Sequence, residues 1–450
     1  MKNFSHKLMN NNITDTDVSS LINFLKKNKK KIFTQSTKVI EFEKKWSRWL
    51  GTKYSIFVNS GSSANLLTLQ AIKIIYGTGE VIVPPLTWIS DIASVIQNGF
   101  KPVFADINPK TLCMDEVQII KNINKNTKAV FITHVQGFSG LSKNLLKILK
   151  QKKIVLLEDV CESHGATFNK KKLGTYGLIS NFSFYYAHHM STIEGGMICT
   201  NDKKIYELIR VLRSHGMLRE CGNPDFEKKM IKKNPKLSPK FIFLYPAYNL
   251  RNTEMPAVIG LNQLKRLDKN NIIRTKNFKT FLNHLDSNYY NTNFELEGSS
   301  NYAFPLVLKK ANFNDRDLLE KVMKNNNIEK DIYNSPTVKE SIKLASETMQ
   351  EEKRLSDYMD KLYEEGLEKF KKENPGKDEE DYIKEIRLGL GSGGKVIDFA
   401  KYKKDNDWHK ATRKLDLASL FPEGKTLNSL TDKEKAAVNK LLKLTLGAKD

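Results

Sequence analysis

The stretch YSIFVNSGSSANLLTLQAIKIIY, residues 54–76, changes from an apolar run to a polar turn and then to an amphipathic pattern. YSIFVN is typical of a buried strand, and NLLTLQAIKIIY has the spacing of a helix. The same alternation recurs further along the chain. The later apolar runs are EVIVP (80–84), KPVFADI (101–107), KAVFITHV (128–135) and KIVLLEDV (153–160). Strands that alternate with helices predict an α/β fold whose mostly parallel central sheet has helices on both faces.

Ligands of such sheets bind at the carboxyl ends of the strands, where the next helix begins. The first strand is followed by SGSSAN, residues 60–65, in which Ser62 and Ser63 open a helix. The free N–H groups and small side chains of a helix start suit a phosphate, although serine also caps ordinary helices. The second strand is followed by PLTW, which places Trp88 at the same edge, either as packing or as a stacking surface for an aromatic ring.

A carboxylate ends the apolar run KIVLLEDV, in the segment EDVCESHGA. Burying the carboxylate of Asp159 at the end of a strand costs free energy unless it has a cationic or hydrogen-bonding partner. Two interpretations remain open from the residues alone. Asp159 either caps the following turn or faces a protonated heteroaromatic nitrogen of a cofactor.

The composition is that of an ordinary globular protein, with 40% hydrophobic and 28% charged residues in a chain of 450. No apolar run reaches the roughly 18 residues that span a bilayer, so we expect no membrane association and a cytoplasmic location. The formal net charge of +23 could suit nucleic acid, but the lysines are scattered and no recognition motif accompanies them. The sequence therefore disfavours a nucleic-acid partner, and a basic surface also suits an anionic small substrate.

The four cysteines are too far apart for a metal site or an iron–sulfur cluster. Cys113, Cys161, Cys199 and Cys221 form no CxxC or CxC pair. We therefore predict no metal and no iron–sulfur cluster.

Six motifs in order resemble the DegT/DnrJ/StrS sugar aminotransferase family between about residues 10 and 328. They are SGSSAN, PLTW, LLEDVCESHGA, SFYYAHHMSTIEGG, RSHG and AYNLRNTEMPAVIGLNQL. The resemblance implies fold type I of the pyridoxal-phosphate enzymes, the aspartate aminotransferase fold. It also implies pyridoxal or pyridoxamine 5'-phosphate as cofactor and a nucleotide-linked keto-sugar as substrate.

The resemblance assigns cofactor contacts by motif. Ser62 and Ser63, at the helix start, resemble the residues that bind the cofactor phosphate, and Ser183 adds a hydroxyl. Trp88 resembles the residue stacked on the pyridine ring. Asp159 resembles the aspartate that pairs with the pyridine nitrogen and keeps the ring an electron acceptor.

Three further positions follow from the same motifs. Glu162 occupies a position on the O3' side of the ring that is usually glutamine in the aminotransferases. Asn249, in AYNLR, resembles a residue that reaches the phosphate from a partner subunit, which implies a homodimer with shared sites. His215, in RSHG, lies in a motif shared across the family, so it is a candidate catalytic residue on the substrate side.

His188 departs from the aminotransferase pattern. That pattern reads roughly SFHxxKNxxxxEGG, and aligning SF and EGG puts His188 at the lysine that binds the cofactor covalently. An imidazole cannot replace that lysine, so the cofactor would be held non-covalently. A histidine can still move protons, with an ordinary pKa near 6.5. This substitution resembles a subgroup of the family, the nucleotide-4-keto-6-deoxyhexose 3-dehydratases.

The subgroup implies that His188 acts first as a base toward the cofactor and then as an acid toward the C3 hydroxyl that leaves the sugar. A purely structural role for His188 remains the alternative, and His189 is expected to position its neighbour. His134 and His164 are expected to be strand-end or packing residues. Because the cysteine cluster of one iron–sulfur subclass is missing, glutamate is the expected amino donor.

The predicted domains are an N-terminal arm (1–35), a cofactor-binding large domain (36–255), the start of a small domain (256–328) and an atypical charged helical segment (329–450). The last segment lacks the motifs of the family's small domain, and its GLGSGG is a linker pattern. Three functions follow: a 3-dehydratase of deoxysugar and polysaccharide biosynthesis, a sugar aminotransferase, or a catalytically degenerate binding protein with a helical interaction tail.

Overall fold

The computed structural model describes residues 11–30, 32–309, 313–326, 328–329, 368, 371–372 and 375–376. The chain divides into two units, residues Met1–Tyr333 and Asn334–Asp450, and all helices and strands named below lie in the first. The charged helical segment predicted for residues 329–450 therefore lies almost entirely outside the described residues. The predicted domain boundaries stay predictions.

Nine strands are present in the described part of the chain. They are β1 (Tyr54–Val58), β2 (Glu80–Val83), β3 (Lys101–Phe104), β4 (Thr127–Thr133), β5 (Val155–Asp159), β6 (Thr167–Phe168), β7 (Lys171–Lys172), β8 (Ile179–Ser183) and β9 (Gly196–Thr200). Seven of them form one sheet in the order β1-β9-β8-β5-β4-β2-β3, and β6 and β7 pair as a small hairpin.

The large sheet is parallel except at β9, which runs antiparallel to both β1 and β8. The parallel pairs are β2–β3, β2–β4, β4–β5 and β5–β8. All residues of β8 and β9 are buried, as expected of strands covered on both faces. The predicted mostly parallel sheet with helices on both faces is confirmed.

One α-helix lies between each two successive strands from β1 to β5, as the sequence pattern predicts. Their bounds are α1 (Asp15–Lys27), α2 (Thr37–Leu50), α3 (Gly61–Tyr76), α4 (Ile89–Gln97), α5 (Glu116–Asn122), α6 (Lys143–Lys152), α7 (Lys203–Arg213), α8 (Pro224–Lys233), α9 (Glu254–Gln263), α10 (Leu267–Asn283) and α11 (Phe313–Asn325). No helix among the described residues is long and apolar enough to cross a bilayer. The cytoplasmic location stays a prediction.

An aromatic cluster joins α2 to the sheet. Phe42 and Trp46 of α2 are fully buried, with their rings 5.0 Å from Phe57 and 5.1 Å from Phe182, respectively. The Trp46 ring also lies 4.8 Å from the ring of Phe184. Phe184 is the first residue after β8, so this rigid cluster supports the start of the loop that connects β8 to β9.

The N-terminal helix α1 is tied to the other side of the same loop. Asp17 is fully buried and accepts a hydrogen bond of 2.6 Å from Arg266 Nη2. Gln263 donates to Asp17 at 3.0 Å and accepts from the backbone N–H of Ser191 at 3.3 Å. Asn12, just before α1, donates to the carbonyl of His188 at 3.4 Å. The β8–β9 loop is thus held from both sides.

Candidate active site

The carboxyl ends of β5 and β8 and the start of α3 meet at one edge of the sheet. Ser60 caps α3, and its Oγ accepts a hydrogen bond of 3.0 Å from the backbone N–H of Ser63. Gly61 must lack a side chain, because a Cβ there would lie 2.7 Å from the Cβ of Ser183 at the end of β8. The first turn of α3 and Ser183 therefore form a narrow cradle of small residues, with the positive end of the helix dipole facing it.

The predicted phosphate residues surround this cradle. Ser62 is exposed and Ser63 is half-buried, so both are accessible to a ligand at the helix start. Ser183 is buried, and its Oγ accepts a weak hydrogen bond of 3.3 Å from the N–H of Tyr185. Trp88 immediately precedes α4, with 65% of its surface exposed. It lies at the rim of the sheet, as predicted, and its ring faces are open to a stacking partner.

Asp159 ends β5 and belongs to a buried network of polar side chains. Its Oδ1 accepts from the N–H of Cys161 at 2.8 Å, and its Oδ2 accepts from the amide of Asn65 at 3.0 Å. The same amide donates to Asp91 at 2.5 Å. Burial, and then the negative charge of Asp159, raise the pKa of Asp91 well above its ordinary value. One proton is thus held on Asp91, next to Asp159.

Further polar residues complete the network around Asp91 and Asn65. The hydroxyl groups of Thr87 and Thr133 each donate to Asp91 at 2.5 Å. Asn181 of β8 donates to Asn65 at 2.9 Å. Sequence reasoning missed all of these residues. The only signal was Asp91 itself, a carboxylate in the first turn of an otherwise apolar helix.

Glu162 lies beside the network, in the turn after β5. Its carboxylate accepts a hydrogen bond of 2.9 Å from the backbone N–H of Gln136. Burial of the carboxyl group, reinforced by the charge of Asp159, raises the pKa of Glu162 to about 7. The Gln136 backbone has a positive φ of 57°, and Gly137 has a φ of 91°. A Cβ at Gly137 would overlap the carbonyl of Ser300, so this turn packs directly against the 300–302 segment.

His188 lies in the β8–β9 loop, five residues after Ser183 at the end of β8. Its ring is half-buried, and its Nδ1 is buried without a partner among the described residues. Burial lowers the pKa of His188 to about 4, although the charge of Asp159 acts in the opposite direction. We expected an imidazole that titrates near neutrality. The structure instead gives a neutral imidazole at pH 7, because the surrounding protein disfavours its charged form.

Two more histidines stack beside His188. The His164 ring centroid is 5.9 Å from that of His188 and 5.3 Å from that of His189. His189 is buried, and its Nε2 lies 2.9 Å from the carbonyl of Ser300, so it links the loop to the 300–302 segment. Burial lowers the pKa of His189 to about 3 and that of His164 well below its ordinary value. Both residues are buried, which agrees with the packing role predicted for His164, and the positioning role of His189 stays a prediction. His134 likewise has a buried structural role, with its Nε2 3.2 Å from Glu158.

The two remaining predicted residues lie on the segments that follow α7 and precede α9. His215 has a positive φ of 60° and its N–H donates to the carbonyl of Tyr248 at 3.0 Å. It lines a cavity of about 450 Å³ together with the 243–247 segment. Asn249 is exposed, and its side-chain oxygen accepts from Arg251 Nε at 3.0 Å. No described contact joins these residues to Asp159 or His188, so their roles stay predictions.

The polar groups of this site match the groups of a pyridoxal-type cofactor. It combines a cradle that a Cβ at Gly61 would fill, a buried carboxylate at Asp159 and an unpaired imidazole nitrogen at His188. A phosphate, a protonated ring nitrogen and a proton-transferring base are the groups that such an arrangement suits.

Residues 14–367 match the model of the DegT/DnrJ/EryC1/StrS aminotransferase family. The chain belongs to this family. The match extends beyond residue 328, where the recognisable motifs end. Membership confirms the prediction of a pyridoxal-phosphate enzyme of nucleotide-sugar metabolism.

Individual members of the DegT/DnrJ/EryC1/StrS family are similar in sequence and structure to this chain. GDP-4-keto-6-deoxy-D-mannose 3-dehydratase of Escherichia coli O55:H7 is 35% identical over 286 residues, which are 62% of this chain and 74% of that protein. The solved structure of the E. coli enzyme with bound hydrated PLP has 30% identity and a TM-score of 0.64, covering 73% of this chain and 85% of that one.

A second solved structure holds glutamate joined to the cofactor of that enzyme. GDP-4-keto-6-deoxymannose-3-dehydratase with a trapped PLP-glutamate geminal diamine has 28% identity and a TM-score of 0.63. It covers 72% of this chain and 85% of that chain. The fold type I prediction and the pyridoxal-phosphate cofactor are thereby confirmed.

Proposed function

We propose that this protein is a 3-dehydratase of a nucleotide-linked 4-keto-6-deoxyhexose, with GDP-4-keto-6-deoxymannose as its substrate. The enzyme would use pyridoxamine 5'-phosphate held without a covalent bond and would recover it from glutamate. The family and the similar GDP-sugar dehydratases support the substrate class. The PLP-glutamate structure of a relative supports the donor.

The observation that carries this proposal is His188. It lies where the aminotransferase motif has the covalent lysine, and it is a half-buried imidazole with a pKa of about 4 and an unpaired Nδ1. Such a group is neutral at physiological pH and therefore able to accept a proton at once. A primary amine at this position would favour covalent attachment of the cofactor and transamination, whereas an imidazole favours proton transfer alone.

Other residues of the site would bind and orient the cofactor. Bound pyridoxamine phosphate would supply a primary amine for the sugar ketone and a ring that accepts electrons. Ser62, Ser63 and Ser183 would hold its phosphate at the start of α3, and Trp88 would cover one face of its ring. Asp159 would hold a proton on the ring nitrogen, with Asn65 fixing the orientation of the carboxylate.

His188 would move the proton of the reaction. Its neutral imidazole would serve as the base toward the amine-bearing carbon of the cofactor, and the imidazolium would then donate that proton to the C3 hydroxyl oxygen, which would leave as water. Because burial disfavours the charged imidazole, the imidazolium would readily give up this proton. His188 is thus neutral again at the end of the elimination.

We also propose that the enzyme works as a homodimer. Asn249 and Tyr248 lie in an exposed segment, with Tyr248 75% exposed, and they make no described contact with the cofactor site of their own chain. A second copy would bring Asn249 to the phosphate cradle, as the family motif implies. Each site would then contain residues of both subunits.

The proposal is tested by product mass. The purified protein is incubated with GDP-4-keto-6-deoxymannose, pyridoxamine phosphate and glutamate. Loss of the C3 hydroxyl from the sugar is expected. A GDP-amino sugar that retains its C3 hydroxyl would instead identify a sugar aminotransferase. An unchanged substrate, together with no cofactor binding, would identify a degenerate binding protein.

A further inference from the structure

Arg274 on α10 is a half-buried arginine directly beside the His188 pocket. Its Nη1 donates to the carbonyl of Tyr302 at 2.9 Å. The Tyr302 ring lies 5.6 Å from the His188 ring and 6.0 Å from the His189 ring. The guanidinium charge is close enough to lower the pKa of His188, after the larger effect of burial. Arg274 therefore provides positive charge at the site of proton transfer.

The charge of Arg274 has no counter-ion in the part of the chain that the structure describes. The buried Arg213 and the half-buried Arg266 each have one, since Arg213 lies 2.7 Å from Glu43 and Arg266 lies 2.6 Å from Asp17. For Arg274, no described carboxylate lies within ion-pair distance, and the Tyr302 carbonyl is its one described hydrogen-bond acceptor. Burying a cation without an anion is costly, and burial lowers the pKa of Arg274 itself. A ligand anion would remove this cost.

We propose that Arg274 binds the α-carboxylate of the amino-acid donor that regenerates the amine form of the cofactor. This inference rests on the proposed function, because it concerns the donor of that same reaction. The Nε and Nη2 groups of Arg274 make no described hydrogen bond, and a planar guanidinium edge matches a carboxylate with two parallel hydrogen bonds.

Two anionic groups could bind Arg274, the α-carboxylate of the donor and the diphosphate of the sugar nucleotide, and they differ in their distance from the reacting carbon. In the donor, the α-carboxylate is attached to the same carbon that carries the transferred amine, so it must lie beside His188. In the sugar nucleotide, the diphosphate is attached at C1, across the ring from the reacting C4. An anion site next to the proton-transferring imidazole therefore suits the donor carboxylate better than the diphosphate.

The donor reaction balances without any further reagent. Glutamate and pyridoxal phosphate give 2-oxoglutarate and pyridoxamine phosphate, as the donor's amino nitrogen and the cofactor's aldehyde oxygen change places. The α-carboxylate is unchanged in this exchange, so its ion pair with Arg274 can persist from glutamate to 2-oxoglutarate. The product acid is therefore a valid probe of the same contact.

The test measures binding on the full-length protein loaded with pyridoxal phosphate, which cannot react with 2-oxoglutarate because neither carries an amine. Calorimetric titration should show that Arg274→Gln raises the Kd of 2-oxoglutarate about 10- to 100-fold, as expected for lost hydrogen bonds to a charged group. Arg274→Lys should lose less affinity for 2-oxoglutarate, because it keeps the positive charge. Lys276→Gln, an exposed cation on the same helix, is the matched control and should leave this Kd unchanged.

A second measurement compares donors. Wild type should convert the cofactor to its amine form much faster with glutamate than with 4-aminobutanoate, whose amine-bearing carbon has no carboxylate. Arg274→Gln should lose most of this preference. If Arg274→Gln does not fold, the comparison is made with Arg274→Lys.

Two results would overturn the inference: an unaltered Kd of 2-oxoglutarate in Arg274→Gln, or a loss confined to the binding of GDP. The second result would assign Arg274 to the nucleotide phosphates. Failure of the proposed function is seen separately, as an absence of sugar dehydration in a wild-type protein that still binds 2-oxoglutarate through Arg274.

Discussion

The side-chain amide of Asn65 donates a hydrogen bond of 3.0 Å to Oδ2 of Asp159, the carboxylate at the end of β5. The same amide lies 2.5 Å from Asp91, so one asparagine bridges two buried carboxyl groups. Because burial and the charge of Asp159 raise the pKa of Asp91, the proton of this pair is held on Asp91. Asn65 therefore fixes the orientation of the carboxylate that is predicted to face the cofactor ring.

Replacement of Asn65 should weaken cofactor binding. Asn65→Leu has a similar volume but no hydrogen-bond donor, so the Asp159 carboxylate loses the hydrogen bond from the Asn65 amide. We expect the Kd of pyridoxamine phosphate to rise about tenfold, since a hydrogen bond to a charged group contributes roughly 1.5 kcal/mol. Fluorescence titration measures this Kd. Asn144→Leu, an exposed asparagine of α6, is the control, and equal Kd values for the two variants would contradict the role given to Asn65.

Replacement of His188 should stop dehydration while leaving the cofactor bound. His188→Asn keeps a polar side chain but cannot transfer a proton, and loss of a general acid–base group typically costs about 10² to 10⁴ in rate. Single-turnover assays with supplied pyridoxamine phosphate measure the rate. His284→Asn, on an exposed histidine, should behave as wild type.

A lysine at position 188 gives a complementary test. His188→Lys restores the primary amine of the aminotransferase motif, so pyridoxal phosphate should become covalently attached and reducible by borohydride. Mass spectrometry of the reduced protein detects the adduct. If His188→Asn dehydrates the sugar at the wild-type rate, or if His188→Lys forms no adduct, His188 lies away from the reacting atoms.

The raised pKa of Glu162 predicts a pH-dependent loss of stability. Its pKa is about 7 in the folded protein against an ordinary 4.5, so the folded state holds the proton more tightly than the unfolded chain. This contribution is fully present below about pH 4.5 and is lost as the pH rises through about 7. The Glu162→Gln variant has no carboxyl group at this position, so it does not titrate there. Its free energy of unfolding, relative to wild type, should therefore increase from pH 5 to pH 8, by at most about 3 kcal/mol.

Urea unfolding of the apoprotein at several pH values measures this difference. The control is Glu297→Gln, which changes an exposed glutamate and should leave the pH dependence as in wild type. A constant difference between Glu162→Gln and wild type across this range would mean that the Glu162 carboxyl group is well solvated in solution.

The ion pair between Asp17 and Arg266 should stabilise the docked N-terminal helix. Burial opposes ionisation of Asp17, but hydrogen bonds from Arg266 and its neighbours outweigh it and lower the pKa of Asp17 to about 2. We expect Asp17→Ala to lower the free energy of unfolding by about 2 to 3 kcal/mol, because the partly buried charge of Arg266 loses its counter-ion. Urea unfolding tests this, and Asp15→Ala, on an exposed residue of the same turn, should cost much less.

The wild-type stabilisation by Asp17 has its own pH dependence. It should be present above about pH 4 and decline as the pH falls toward 2, since the folded pKa is the lower one. A variant lacking Asp17 should not show this decline.

Shared active sites predict complementation between two inactive variants. If Asn249 serves the neighbouring subunit, a mixed dimer of His188→Asn and Asn249→Ala contains one site with both native residues. Random reassociation should then restore about a quarter of wild-type activity, because half of the dimers are mixed and each has one intact site. Activity of the mixture no greater than the mean of the two variants would contradict a shared site, as would a monomer in light scattering.

The sequence by itself determined the alternation of strands and helices and the residues at the strand ends. These are local properties, since an apolar run followed by SGSSAN or by EDVCE specifies its own strand end and turn. The histidine at position 188 could also be recognised in its motif, because the flanking SF and EGG fix its place in the loop. Family membership and cofactor class followed from such motifs.

Only the tertiary structure decided which side chains meet and in what protonation state. The bridge from Asn65 to Asp159 joins residues 94 positions apart, and no local pattern specifies it. The pKa of His188 depends on burial and on Arg274 and Asp159, which belong to other elements of the fold. Burial and the distances between charges arise only when distant segments pack together, so the neutral histidine and the arginine beside it could not be predicted from the sequence.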